Sequence, residues 1–200
     1  FMGMGEPFHN YDQLIIAIQM IRDRLGIGAR KITVSTVGLA PKILRFAQEG
    51  LQVKLAISLH ATEDEKRSMM MPINRKYPIA ELIDACHEFV KATHRRITFE
   101  WALIYDQNDS EEEAVRLAKL LKGLLCHVNV IPLNPTKGYE GAPSDSNRVN
   151  HFVSTLERHG IPATIRVRRG IDIDAGCGQL KSEVERKRKS VADQLLQIQG

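Results

Sequence analysis

With 200 residues and 22.5 kDa, 43% hydrophobic and 26% charged, the chain has enough apolar material for one folded core, which argues against disorder. No apolar run approaches the ~18 residues of a spanning helix and no charged-then-apolar leader resembles a signal peptide, so a soluble cytoplasmic protein with no membrane partner is expected. Three cysteines without a CxxC pair argue against a disulfide framework or a self-contained zinc site, and a net charge of +4 permits an anionic partner without requiring one.

The chain opens FMGMGEP, an apolar pair running into glycines, and reads as entered in mid-strand. Leu14, Ile15, Ile18, Ile21 and Leu25 stand at helical spacing and predict a first helix closed by Gly26 and Gly28. Lys31 to Thr36 is a β-branched strand ending near Gly38 and Pro41, and a short helix from about Pro41 to Glu49 follows. Val53 to Leu59 repeats the strand and runs into His60, after which Thr62 and Glu65 have the spacing of a capping box at the head of another helix. MPINRKYP separates that helix from an amphipathic one over Ile79 to Thr93. Next come a strand from Ile97 to Ile104, a helix from Ser110 to Leu125, a strand from Val128 to Leu133 and a helix capped by Asp145 through Arg158. Ala163 to Val167 is the last strand, and a charged helix from about Lys181 to Leu196 closes the chain.

Strands alternating with helices at this rhythm imply parallel β/α units with right-handed crossovers. At least five strands are expected, besides the opening one. An open or closed β/α barrel fits better than a doubly wound sheet, because polar, glycine- or proline-bearing segments recur at strand ends: GMGEP, STVG, SLHA, PLNP and DAGCG. In such folds those ends share one face and build the site.

Cys177 stands out there, held between Gly176 and Gly178 in a loop after an apolar run, where little bulk hinders approach to the sulfur. Cys86, on the apolar face with Leu82, Ile83 and Phe89, and Cys126, after Leu124 and Leu125, read as small core residues. Glu6 in GMGEP could hold an ammonium group, although GxGE lacks the spacing of a dinucleotide fingerprint. Ser58 and His60 put a hydroxyl and an imidazole at one strand end, and the polar strand ends together suggest a small-molecule pocket. No histidine pair has metal-binding spacing. Arg166, Arg168 and Arg169 precede the Cys177 loop and suit phosphate contacts, whereas the basic residues of the closing helix, Arg186 to Lys189, read first as a solvated face.

GMGEP, STVG, LAISLHA, MPINRKYP, VIPLNP and RGIDIDAGCGQL, in this order, resemble the RlmN/Cfr family of radical S-adenosylmethionine RNA methyltransferases, over nearly the whole chain. The resemblance implies a radical-SAM (β/α) barrel truncated at its amino terminus, with residues 1–180 as barrel core and 181–200 as a charged helix of the same domain. It implies methylation of carbon 2 of an adenosine in 23S rRNA, and in tRNA, by a monomer served by an electron donor. Carbon-8 methylation, or a catalytically dead RNA-binding barrel, are the alternatives. By match to the family's motifs, Cys177 would carry the methyl group as a thiolate. Gly5 and Glu6 would hold the methionine end of S-adenosylmethionine, with Ser35, Ser58, Leu59, His60 and Asn134 along its remaining polar surface. The CxxxCxxC motif that ligates the family's 4Fe-4S cluster is absent from these residues, which leads to the expectation of a fragment that neither binds iron nor methylates RNA by itself.

Overall fold

The computed structural model describes residues 1–2, 5–133 and 141–166. Asn134, Cys177, Arg168, Arg169 and the closing helix expected over Lys181 to Leu196 lie outside the described residues, as does the boundary at residue 180.

Five strands form one parallel sheet: β1 (Thr33–Thr36), β2 (Lys54–Ser58), β3 (Ile97–Leu103), β4 (Cys126–Pro132) and β5 (Ala163–Ile165). Their order in space is their order in the chain, so among the described residues each strand pairs with its sequence neighbours. A doubly wound sheet would reverse direction at some point, and this one does not. The connections carry α1 (Tyr11–Asp23), α2 (Ala40–Gln48), α3 (Asp64–Met70), α4 (Ile79–Thr93), α5 (Glu111–Leu120) and α6 (Ser146–Arg158). The result is the partial (β/α) barrel expected. At the β1 edge the backbone of Phe1 continues the pairing, its ammonium donating to Thr33 O at 2.6 Å and its carbonyl accepting from Ser35 N at 3.1 Å.

Pleat and register sort the side chains into two faces. Val34, Leu55 and Ile97 align across the sheet, as do Thr36, Ile57, Phe99 and Val128, and these residues are buried. Ser58, Glu100, Asn129 and Thr164 line up on the opposite face, giving it a polar surface. Helices supply the rest of the core. Ile79, Leu82, Ile83, Cys86 and Phe89 of α4 are all buried, and Phe46 of α2 stacks on Phe89 with ring centroids 6.3 Å apart. Trp101 of β3 stacks on Phe152 of α6 at 5.8 Å. Cys86 and Cys126 are core residues, as their apolar surroundings predicted.

Three local expectations need correcting. The first helix, expected to include Leu25 and to close at Gly26 and Gly28, begins at Tyr11, ends at Asp23 and leaves Leu25 exposed; a 3-10 turn over Pro7–Asn10 precedes it, capped by Glu6, which accepts from Phe8 N. Helix α5 stops at Leu120 and not Leu125, because the chain turns through Gly123, whose φ of +81° suits glycine and ends the helical run. Thr62 and Glu65 form no capping box. Glu63 is the N-cap of α3 and makes no side-chain cap bond, while Thr62 bonds to Glu113 of α5.

Candidate cofactor pocket at the strand ends

A cleft of about 650 Å³ opens at the carboxyl ends of β1 and β2. Gly5, Glu6, Ser35, Val37 and Ser58 line it, with Asn10 and Gln13 from the first helical segment. Gly5 holds φ at +91°, a conformation that glycine adopts without strain, and no atom lies within 4 Å of where a Cβ would stand. The backbone therefore reaches the cleft bare.

Glu6 ties this turn to the sheet. One carboxylate oxygen accepts from Phe8 N at 2.9 Å and the other from Val37 N, just beyond β1, at 2.7 Å. The expected ammonium partner would thus meet a carboxylate already fixed by two backbone donors, each oxygen retaining further lone-pair capacity. Ser35 and Ser58 present hydroxyls that make no hydrogen bond to another described residue, so both can serve a ligand.

Sequence neighbours of Ser58 go elsewhere. The Leu59 side chain is completely buried, and only its backbone acts near the cleft: its N–H donates to Glu100 O at 3.1 Å and its carbonyl accepts from Arg67 Nε at 3.2 Å. His60 takes a left-handed conformation, φ 63°, which turns its ring into a neighbouring cavity of about 730 Å³. Met69, Met70, Met71, Ile104, Asn108 and Leu133 also line that cavity. His60 Nδ1 accepts from Ala102 N at 2.9 Å, so the neutral ring carries its proton on Nε2. Burial, and then the nearby Arg67 charge, push its pKa down to about 4. The structure thus joins Gly5, Glu6, Ser35 and Ser58 in one cleft and sets His60 apart.

Residues that motif reading did not single out complete the setting. Glu100 is 7% exposed, accepts from Asn129 Nδ2 at 2.7 Å, and has its pKa raised by burial against the lowering effects of Asn129 and Arg166. Its signal in the sequence is a lone carboxylate in the apolar run ITFEWALI. Arg67 is wholly buried between strand ends, and nothing in DEKRS distinguishes it from a solvated helix charge.

The cleft suits a polar small molecule of cofactor size, with bare backbone at Gly5 and two hydroxyls on adjoining strands. Iron is different. Among the described residues no group of three or more His, Cys, Asp or Glu side chains could hold a metal. Cys86 and Cys126 are packed in the core, where burial raises both thiol pKa values, that of Cys126 to about 11. These residues do not fit a cluster.

A parallel partial barrel with a polar cleft at its strand ends defines a class of α/β proteins that bind cofactors at that face. Residues 1–118 match the Radical SAM superfamily, and the chain belongs to that family. It is 50% identical over 188 residues, 93% of its length, to the dual-specificity RNA methyltransferase RlmN 1 of Myxococcus xanthus, of which it covers 52%. A probable dual-specificity RNA methyltransferase RlmN of Caldanaerobacter subterraneus is 50% identical over 90% of the chain and is 53% covered. The crystal structure of a radical SAM methyltransferase from Sphaerobacter thermophilus superposes with a TM-score of 0.87 at 52% identity, over 90% of this chain and 53% of that one. The chain therefore spans about half the length of the curated relatives it matches. The family's cofactors are S-adenosylmethionine and a 4Fe-4S cluster. The cleft fits the former, while the described residues supply no ligands for the latter.

Proposed function

We propose that this chain forms the cofactor-binding and methyl-carrying part of a radical SAM RNA methyltransferase that methylates carbon 2 of an adenosine in 23S rRNA and tRNA. The observation that carries the reading is 50% identity over 93% of the chain to a protein named as a dual-specificity RNA methyltransferase. Convergence of Gly5, Glu6, Ser35 and Ser58 in one cleft supports it from the structure. The cytoplasm is the setting this implies, with an electron donor as a second partner of the monomeric protein.

S-adenosylmethionine, held by these residues, would supply the methyl group and, with an electron from outside this part of the protein, the radical chemistry that an electron-poor aromatic carbon requires. The residues of this chain bind, orient and receive. Gly5 and Glu6 take the amino-acid end of the cofactor, Glu6 as an oriented acceptor held by Val37 N and Phe8 N. Ser35 and Ser58 offer hydroxyls along its length. Asn134, assigned to the cofactor's polar surface by motif, lies outside the described residues, while His60 lines the neighbouring cavity and the Leu59 side chain is buried. Cys177, as a thiolate, accepts the methyl group and presents it to the base. Arg166, with Arg168 and Arg169, supplies phosphate contacts that position the RNA without reading its sequence. The carboxylates of Asp172 and Asp174 would disfavour a thiolate nearby, which Arg168 or Arg169 would have to neutralise.

The test is Cys177→Ala in the whole protein. Methyl transfer to RNA is lost, peptide mapping of the wild type finds one methyl group on Cys177, and Cys86→Ala and Cys126→Ala stay active. An active Cys177→Ala enzyme overturns the assignment. Digestion of the modified RNA to nucleosides separates carbon 2 from carbon 8 as the target.

A further inference from the structure

Arg67 is 0% exposed, and every bond its guanidinium makes to the described residues goes to a neutral acceptor. Nε donates to Leu59 O at 3.2 Å, and one terminal nitrogen donates to both Val37 O at 2.8 Å and Ser58 O at 3.0 Å. The other terminal nitrogen donates to Asn74 Oδ1 at 2.8 Å. Asn74 is fixed in turn, its amide nitrogen donating to Asp64 Oδ1 at 2.9 Å and to Ser68 Oγ at 3.0 Å. This gives the MPINRKYP segment a task that its sequence alone does not disclose.

Burying a cation without a contacting carboxylate is expensive, and an apolar side chain of similar volume would hold a core together better. Arg67 remains protonated at neutral pH even though burial pulls its pKa down to about 10. What the guanidinium supplies and an apolar residue cannot is a rigid fork of donors. The β1–β2 register runs as far as Thr36 and Ile57. One residue further on, Arg67 bonds both strand ends, and Val37 and Ser58 both line the cleft. Val37 N is the group held by Glu6. A continuous set of bonds thus runs from Glu6 through Val37 and Arg67 to Ser58.

We propose that Arg67 is the positioning residue of the cleft: its guanidinium fixes the separation of the β1 and β2 ends, setting Glu6, Ser35 and Ser58 in the relation that one ligand requires. Asn74 orients the fork. The inference rests on the reading of this cleft as the S-adenosylmethionine site.

The experiment uses the whole protein and measures S-adenosylmethionine binding by calorimetry, KM and kcat for each substrate, and thermal melting. Arg67→Lys keeps the charge and loses the planar fork. Its affinity for S-adenosylmethionine falls about tenfold, since displacement of positioning groups by about 1 Å has large effects. The KM for the cofactor rises in step, while kcat at saturation and the affinity for RNA stay near wild type. Asn74→Ala, which leaves Arg67 in place without its orienting partner, shows the same pattern more weakly and serves if Arg67→Lys does not fold. Wild-type cofactor affinity in a folded Arg67→Lys protein, or in Asn74→Ala, overturns the proposal, as does an equal loss of RNA and cofactor affinity. A wild-type protein that binds no S-adenosylmethionine at all, or a Ser35→Ala, Ser58→Ala pair without effect, overturns the assignment of the cleft instead.

Discussion

Glu113 accepts both the hydroxyl of Thr62, at 2.7 Å, and its backbone N–H, at 3.1 Å, from 51 residues further along the chain. The first turn of α5 thereby holds the loop that leaves β2. Burial alone would raise the pKa of Glu113, but the bonds from Arg116 and Thr62 outweigh it and leave the group below its ordinary value of 4.5.

Glu113→Gln removes that charge, so Arg116 and Thr62 can no longer both be satisfied, at a cost of about 2 kcal/mol. The wild-type contribution is fully present above the ordinary carboxylate pKa and is lost as pH falls through the lowered folded value. The variant should therefore show a flatter acid limb. Urea titrations at several pH values, followed through the single tryptophan, Trp101, check both points, and an acid limb as steep as the wild type's counts against the argument.

His60 should make stability sensitive to a higher pH window. Its folded pKa of about 4 lies below the ordinary 6.5, so the unfolded chain binds more protons between these values and stability declines as pH falls through that range. The ceiling is about 3 kcal/mol. Protonation must occur on Nδ1, which breaks the bond from Ala102 N. His60→Asn tolerates the left-handed backbone and can still accept from Ala102, so the slope between those pH values should disappear while stability at neutral pH changes by about 1 kcal/mol or less.

Asn108 joins three segments around His60. Its oxygen accepts from Ile104 N, and its nitrogen donates to His60 O and Ala102 O, each at 2.8 Å. Asn108→Asp would turn an oxygen toward two carbonyl oxygens and should cost about 3 kcal/mol at neutral pH, recovering partly in acid as the carboxyl regains a donor. A melting series against pH tests this, and a neutral-pH stability above that of Asn108→Ala would refute it.

Cys86 and Cys126 are buried, and their thiols are held in the protonated form. In the native protein at mildly alkaline pH neither should react with a disulfide reagent on the timescale of mixing, and both should react after unfolding in urea. Peptide mapping of the labelled protein distinguishes them from Cys177.

The strands were readable because KITVST, VKLAISL and ITFEWALI are β-branched or apolar runs bounded by turns, a signal local to each run. The Thr62 and Glu65 spacing misled for the complementary reason: the partner that captured Thr62 lies in another helix, and no local pattern encodes it. Ser58 and His60 are two residues apart, yet a left-handed turn sends the imidazole to a different cavity from the hydroxyl. Arg67 shows the same limit most clearly. Its sequence context is charged, and only the approach of two strand ends makes it an interior residue.

Because each of the described strands pairs with the strands before and after it in sequence, this part of the sheet can grow by addition at one edge in the order of synthesis. A nascent β2 needs only β1 as a template, and β3 needs only β2. Loop closure then stays limited to one β/α unit at a time, a lighter entropic demand than joining distant segments. The clamp at the ends of β1 and β2 can close as soon as α3 and the turn carrying Asn74 have formed, before β3 is laid down. The bond from Thr62 to Glu113 has to wait for α5, so the loop after β2 is tied down only when a later part of the chain is in place.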